Sequence, residues 1–447
     1  MKKIILLLLA VNLVFAQSNN TARSITVYKD GFAIVNEPII WNLKAGKNIA
    51  TFTNLSQNLL FDSPKLNVSG VSILSQTLNR NFKSSDSFLK NNIGMPIEVK
   101  PNEGSLIQGI LMDVNGSSIS VKTNKGLTVI HRSQTSFFTL KSSSVQDKFS
   151  PEISWELVSD DEKSVEADLT YISSGFLWKP VYTLIIDDSD STATIAVNAE
   201  VTNNSNVNLI DIDLSVVEGN VPFAASSSTS TMRSTTMSRD MSPMSSANSL
   251  GDFYIFNLGS KLKLEAMQTV QLPLMSEREI IYDKKYIFEN SERDQGDEPL
   301  EIEISFENTK QNNLELPLPS GTIYLYENND ENMMRFVGRN NLSQMFKGGV
   351  ATLDGGKAFD IVGKRRILNF DRQTKSEEST ISLQILNTSD KSIKVKAVEK
   401  IIGDWVIKES SSMYIKEDAS TIYFPLEIDA GASEPVSYTH LTLPTKA

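Results

Sequence analysis

The sequence predicts an all-β, multi-domain protein: β-sandwiches, with a small SH3-like or Sm-like barrel between an N-terminal β domain and a C-terminal sandwich region. Three observations lead there. Apolar and polar residues alternate with period two in many segments, as in half-buried antiparallel strands. No segment sustains a helical i, i+3, i+4, i+7 apolar stripe beyond about two turns. Asn- and Gly-containing turns punctuate the alternation. At 447 residues, the chain exceeds the roughly 250–300 residues at which a single core usually divides. Its 40% hydrophobic and 22% charged content is that of a globular protein.

In chain order, Lys2 and Lys3 followed by the apolar run Ile4 to Phe15 read as a secretory leader. Val14-Phe15-Ala16 presents the peptidase with small residues at the cleavage site, so residues 1–16 form the leader and Gln17 starts the mature chain. Twelve residues fall short of the ~20 that cross a bilayer, and no later segment approaches that length, so no transmembrane segment follows cleavage. An N-terminal β domain is expected over 17–85.

The small barrel is expected over 86–145. Its strands are Pro96–Lys100, Gln108–Val114, Ser118–Thr123, Leu127–His131 and Thr135–Leu140, with Gly104, Gly116 and Gly126 at the turns. Closure is expected because so small a sheet tolerates open edges poorly. Short helices are expected near Ser85–Asn91 and Asn340–Phe346.

The sandwich domain is expected over 146–435. Within it Val197–Val216, Ile302–Tyr326 and Ile381–Glu399 echo one another. Each has a strand, an Asn turn (Asn203-Asn204-Ser205, Asn308-Thr309, Asn387-Thr388-Ser389) and a second alternating strand. Residues 223–250 interrupt this domain with Ser, Thr and four methionines, a composition that reads as a disordered surface insertion.

Composition excludes several chemistries. The chain has no cysteine, which removes disulfides, thiolate zinc and thiol nucleophiles. Its two histidines, His131 and His440, leave little for a histidine-based centre. A net charge of −11 argues against nucleic acid as a partner. Ser87-x-x-Lys90 and Ser260-x-x-Lys263 match serine–lysine spacing, but that chemistry needs both groups on a well-formed helix, and Ser260 precedes a strand pattern. Asp187-Asp188-Ser189-Asp190 lacks the spacing of a calcium loop and reads as a charged hairpin turn. Met241 and Met244 offer thioethers to Cu(I), without a second ligand type. Asp360 is read as a turn-capping acid and His131 as a strand residue at the barrel rim.

Four ordered motifs add a resemblance. They are Tyr171-Ile-Ser-Ser-Gly175-Phe-Leu-Trp178-Lys-Pro-Val-Tyr182, Leu314-Glu-Leu-Pro-Leu-Pro-Ser-Gly321 with Tyr324 and Tyr326, Gly356-Lys-Ala-Phe-Asp360-Ile-Val-Gly363, and Glu399 with Trp405. Over about Ile153 to Glu434 the chain resembles the domain of unknown function 4139 family, which includes the mucoidy inhibitor A proteins. Ile25-Thr-Val-Tyr28-Lys-Asp-Gly31 and Leu43-Lys-Ala-Gly46 are similar to the N-terminal β domain that accompanies it. The small barrel stands where mucoidy inhibitor A proteins often carry a coiled coil. The resemblance implies an exported bacterial β protein and transfers no catalytic residue. Residues 436–447, beginning Val436-Ser-Tyr-Thr-His-Leu, resemble a translated sequencing adapter in place of a natural tail.

The expected function follows from what survives. It is an exported, non-catalytic envelope or surface module in the periplasm or outside the cell, binding an envelope protein or glycan, with no cofactor, no metal site and no catalytic residue. Tyr324, Tyr326, Tyr414 and Tyr423 are the aromatic candidates for its binding face. The alternatives are an envelope glycan or peptide hydrolase using a carboxylate pair, and Cu(I) handling by the Met-rich loop.

Overall fold

The computed structural model describes residues 12–15, 17–18, 23–79, 85–140, 151–187, 191–219, 247–250, 253–328, 333–374 and 376–443. It is an all-β, multi-domain protein whose strands form sheets of four, five, eight and thirteen members. Two compact units divide the chain: Met1–Trp178 with Glu200–Leu272, and Lys179–Ala199 with Pro273–Ala447.

In the first unit, the strand Phe32–Leu43 alternates so that Ala33, Val35, Ile39, Trp41 and Leu43 face inward. It pairs along its whole length with Lys163–Ser174, from Leu43↔Lys163 to Phe32↔Ser174. A facing sheet contains Gly46–Phe52 and Glu152–Ser159, and the Trp41 and Trp155 rings meet at 5.4 Å. Residues 17–85 therefore do not make a separate domain. Their strands complete sheets with strands beyond residue 150, and Arg23–Tyr28 runs parallel to Leu209–Glu218. Alternation assigns a face to each strand but says nothing of which strand lies beside it. Of the expected leader, Asn12–Phe15 runs parallel to Gly46–Phe52, and residues 1–11 and 16 lie outside the described residues.

The small sheet of this unit has strands Pro96–Pro101, Ile107–Val114, Ser118–Thr123, Gly126–His131 and Thr135–Leu140, close to the sequence prediction. The expected helix Ser85–Asn91 is present and lays Leu89 on the core of Ile97, Val99, Leu111, Ile119 and Val121. Closure is the part that fails. Gly126–His131 and Thr135–Leu140 stand at opposite ends of the sheet and do not pair. The three-residue 3-10 turn Arg132–Gln134 separates them, so chain neighbours become opposite edges. Gly109 is required inside the sheet: a Cβ there would lie 2.4 Å from the Lys122 carbonyl.

The second unit contains two cores. One gathers Tyr182, Leu184, Ile195, Phe306, Ile323, Leu325 and Leu353. The other gathers Phe288, Ile381, Leu383, Ile385, Val395, Ile422 and Phe424. The 24-residue strand Val350–Gln373 serves both, with Leu353 in the first and Ile361 in the second. Between them its ladder with Gly296–Glu307 slips, so that Lys357 opposes Glu301 while Val362 opposes Pro299. The intervening bulge throws Phe359 outward to 94% exposure. The expected helix at Asn340–Phe346 is absent: Asn340 and Leu342 end the strand Met334–Leu342, and Met345 exchanges backbone hydrogen bonds with Leu318.

The three echoing segments are corners of one design. Asn203, Asn308 and Asn387 are each 0% exposed. The Asn203 amide donates to the carbonyls of Val207, Leu264 and Glu265, while its oxygen accepts from the Ser205 N–H. Asn387 repeats this with Lys391, Ile428, Asp429 and Ser389. Asn308 does the same job with Leu316 and Phe346. Each side chain thus satisfies backbone groups that a buried corner would leave unpaired.

The adapter-like stretch occupies a sheet position. Ser433–Leu443 pairs with Ser376–Asn387 and with Asp404–Ser410, burying Val436, Tyr438 and His440. Residues 444–447 lie outside the described residues.

Candidate interaction face

Two of the quoted motifs meet inside the second unit and position a hairpin. The Tyr182 hydroxyl donates to the Pro319 carbonyl at 2.6 Å. Gly321 passes so close to Pro180 that a Cβ would lie 2.4 Å from the Pro180 carbonyl. Gly321–Asn328 then runs parallel to Phe176–Asp187, from Val181↔Thr322 to Asp187↔Asn328. Met334–Leu342 pairs with it antiparallel as the end strand of the sheet.

Alternation sends Ile323 and Leu325 into the core, both 0% exposed, and leaves Tyr324 and Tyr326 half-buried on the other face. A register shift beside Leu325 and Tyr326 brings Phe336 opposite Tyr326. The two rings meet edge to face at 5.8 Å, while Phe336 stays 61% exposed. The Arg339 guanidinium lies 5.7 Å from the Tyr324 ring centre. Arg335 lies opposite Glu327 in the ladder and so points to the other face of the hairpin. The result is an aromatic strip with one cation, Arg339, on a chain of net charge −11. Such rings retain apolar area and a polar tip for a partner. The strand is held from its far side by the Asn340 side chain, which pairs with both the N–H and the carbonyl of Asp354.

The other candidates are placed as follows. Tyr414 packs edge to face on Phe424 at 6.4 Å, and Tyr423 lies under the Lys396 ammonium at 4.7 Å. Neither joins the strip. Trp178 is buried and its indole donates to the Val217 carbonyl at 2.9 Å. Asp360 is exposed, and its backbone carbonyl accepts from the Thr388 amide and hydroxyl. His131 is exposed at a strand end. His440 is buried, and burial pushes its pKa down to about 4. Ser260 and Lys263 lie on the strand Phe253–Leu264, with Lys263 paired to Glu265 at 2.6 Å. Lys90 pairs with Asp86 at 3.2 Å. Met241, Met244 and Asp188–Asp190 lie outside the described residues. Among the described residues, no group of three or more His, Asp or Glu is placed to hold a metal, and no helix is long and apolar enough to cross a membrane.

Buried charges are the residues that sequence reasoning missed. Glu37, 3% exposed, pairs with Arg23 and accepts from the Tyr171 hydroxyl. Burial pushes its pKa up against those two partners. Arg365 and Glu399, at 1% and 0%, form a forked ion pair of 2.8 and 3.0 Å, to which the Tyr438 hydroxyl donates at 2.6 Å. The signal was the phase of alternation. Glu37 shares parity with Val35 and Ile39, and Glu399 with Val395 and Ala397, all inward positions.

One groove brings two acids together. Glu292, Arg372, Glu377, Ile402, Thr442 and Leu443 are among the residues lining about 340 Å³. Burial and the nearby Glu377 push the Glu292 pKa up. Glu377, however, is already paired with Arg372 at 3.0 Å, which occupies the carboxylate that hydrolysis would need free. Thr442 and Leu443 also belong to the adapter-like stretch. A second groove, about 560 Å³, is lined by Asp283, Lys285 and Lys394 beside amides and hydroxyls. Although burial opposes it, hydrogen bonding to Lys285 and the two lysine charges hold the Asp283 pKa below the usual range. That acid is a permanent anion near neutral pH, unsuited to donating a proton.

No protein-family profile and no curated protein matches the chain. Among solved structures, it aligns with Escherichia coli alpha-2-macroglobulin activated by porcine elastase at 9% identity and a TM-score of 0.12. The alignment covers 96% of this chain and 41% of that one, so the chain spans about two-fifths of that protein. At that TM-score the likeness bears on neither fold nor function.

Proposed function

We propose that this chain is a non-catalytic interaction module of the bacterial cell envelope or surface, exported by its leader and related to the domain of unknown function 4139 proteins. The observation behind this reading is the strip of Tyr324, Tyr326, Phe336 and Arg339. It combines half-open aromatic rings with a cation on the end strand of a sheet, on the face turned away from the core side chains Ile323 and Leu325. The partner is an envelope protein or glycan offering apolar area and acidic groups. Carboxylate-pair hydrolysis ranks below this reading because Arg372 occupies Glu377.

Capture from native envelope extract, read by quantitative mass spectrometry and glycan analysis, tests it. Phe336→Ser combined with Arg339→Glu is expected to lower recovery of the partner at least tenfold, the scale of a lost hot spot of ~2 kcal/mol. Thermal stability is expected to stay within about 0.5 kcal/mol, because both side chains are largely exposed. Undiminished capture by a folded variant would overturn the assignment of this face.

A further inference from the structure

The small sheet of the first unit presents a separate surface, independent of the aromatic strip. Its two end strands, Gly126–His131 and Thr135–Leu140, contain no Asp, Glu, Lys, Arg or Pro. Open edges are ordinarily guarded by such residues, because an unguarded edge recruits another strand. A register shift between Thr135 and Phe137 distorts only the start of the second edge.

Charge on this sheet is placed the other way round. Glu98 and Lys100 lie on the strand inside Thr135–Leu140, and Lys122 on the strand inside Gly126–His131. Directly beside them on the edges, Phe137 opposes Lys100 and Leu127 opposes Lys122. Leu127, Val129 and Phe137 are 63%, 57% and 54% exposed. A sheet meant only for water would carry its charges on the rim and its apolar residues inside.

We infer that the two edges pair with each other between copies of this chain. The Gly126–His131 edge of one copy joins the Thr135–Leu140 edge of the next and continues the sheet. The occupant is a second copy because the edges match: each has six residues and no charge, and the outward Leu127 and Val129 of one find the outward Phe137 of the other. Leu127 and Val129 then share one face with Phe137 and Thr139, an aromatic and β-branched pairing that stabilises cross-strand contacts. On the inner face, Ile130 of one copy then lies beside Phe138 and Leu140 of the next, each packed on the core of its own sheet. Because the two edges differ, the contact is head-to-tail. Every copy keeps one edge of each kind, so assembly proceeds to a ring or an open chain. Copies of net charge −11 repel one another, so added salt strengthens the contact.

Sedimentation of the full chain over a concentration series tests this. The wild type is expected to exceed dimer mass as concentration rises, more readily at high salt. Val129→Lys and Phe137→Lys are each expected to remain at single-chain mass. Mixed together they are expected to give a dimer, since one keeps an intact Thr135–Leu140 edge and the other an intact Gly126–His131 edge. Circular dichroism establishes that the variants are folded, and Leu127→Lys with Thr139→Lys provides a second pair at exposed positions. A wild type that stays at single-chain mass throughout, or a mixture that forms no dimer, overturns the inference. Loss of assembly in only one of the two variants would mean that like edges pair, and would overturn the head-to-tail arrangement.

Discussion

Replacing Asn387 tests the idea that buried amide corners hold the sandwiches together. Its amide donates at 2.8 Å to Lys391, 2.9 Å to Asp429 and 3.3 Å to Ile428, and its oxygen accepts from the Ser389 N–H at 3.1 Å and hydroxyl at 2.7 Å. In Asn387→Ala, three carbonyls, one N–H and one hydroxyl lose this partner, although the Asp429 and Lys391 carbonyls keep a second donor in the Ala432 N–H and the Ser389 hydroxyl. At about 1–3 kcal/mol per stranded group, with some recovered by relaxation, the cost is about 3–5 kcal/mol. Asn387→Asp keeps the shape and the acceptor but turns an oxygen toward the three carbonyls, so it costs at least as much at neutral pH. Protonation of the introduced carboxylate removes that repulsion, so stability is expected to return on acidification. Peptide-resolved hydrogen exchange reads the effect locally. At about 1.4 kcal/mol per decade, protection of the strands Ser376–Asn387 and Thr421–Ile428 is expected to fall by two to three and a half decades. Less than one decade in the Ala variant, or wild-type protection in the Asp variant at neutral pH, would refute the account.

Two further outcomes are expected. Gly321→Ala forces its Cβ to within 2.4 Å of the Pro180 carbonyl, so the hairpin must shift and a loss of about 1–3 kcal/mol is expected in urea denaturation. A variant as stable as wild type would show that this approach is not needed. Glu37 has its pKa raised by burial, so the folded state binds its proton more tightly than the unfolded chain. Stability from this group therefore falls as pH rises from the unfolded value of ~4.3 through the folded one, and returns on acidification. Glu37→Gln is expected to flatten that part of the pH–stability curve, and an unchanged curve would assign the slope elsewhere.

Much of the architecture was legible because it is local. Alternation located the five strands of the small sheet, and Ser85–Asn91 was found as a helix. The Asn turns at 203, 308 and 387 were recognisable as one repeated grammar because the same residue serves the same corner. Pairing over long distances was not legible. Nothing in Phe32–Leu43 announces that its neighbour is Lys163–Ser174, so an N-terminal domain was expected where there are shared sheets. Closure of the small sheet fails for a similar reason: pattern gives faces, and the turn at Arg132–Gln134 decides which edges meet. Asn340–Phe346 suggested a helix, yet the Asn340 amide is claimed by Asp354 and Met345 by Leu318. Of the four tyrosines singled out, Tyr324 and Tyr326 form the strip, but its shape depends on Phe336, which a register shift invisible in the sequence delivers.

The strand Val350–Gln373 has a mechanical consequence. At ~3.3 Å per residue its 24 residues reach about 80 Å, and it threads both cores of the second unit without a linker. Tension applied between those cores finds no slack segment to extend. It loads the hydrogen bonds to Gly296–Glu307 and Ser376–Asn387 in shear, many at once, in place of unzipping them singly. The bulge around Phe359 interrupts the ladder to Gly296–Glu307, so the strand bends most easily there. A load on one core is thus passed to the other through paired strands.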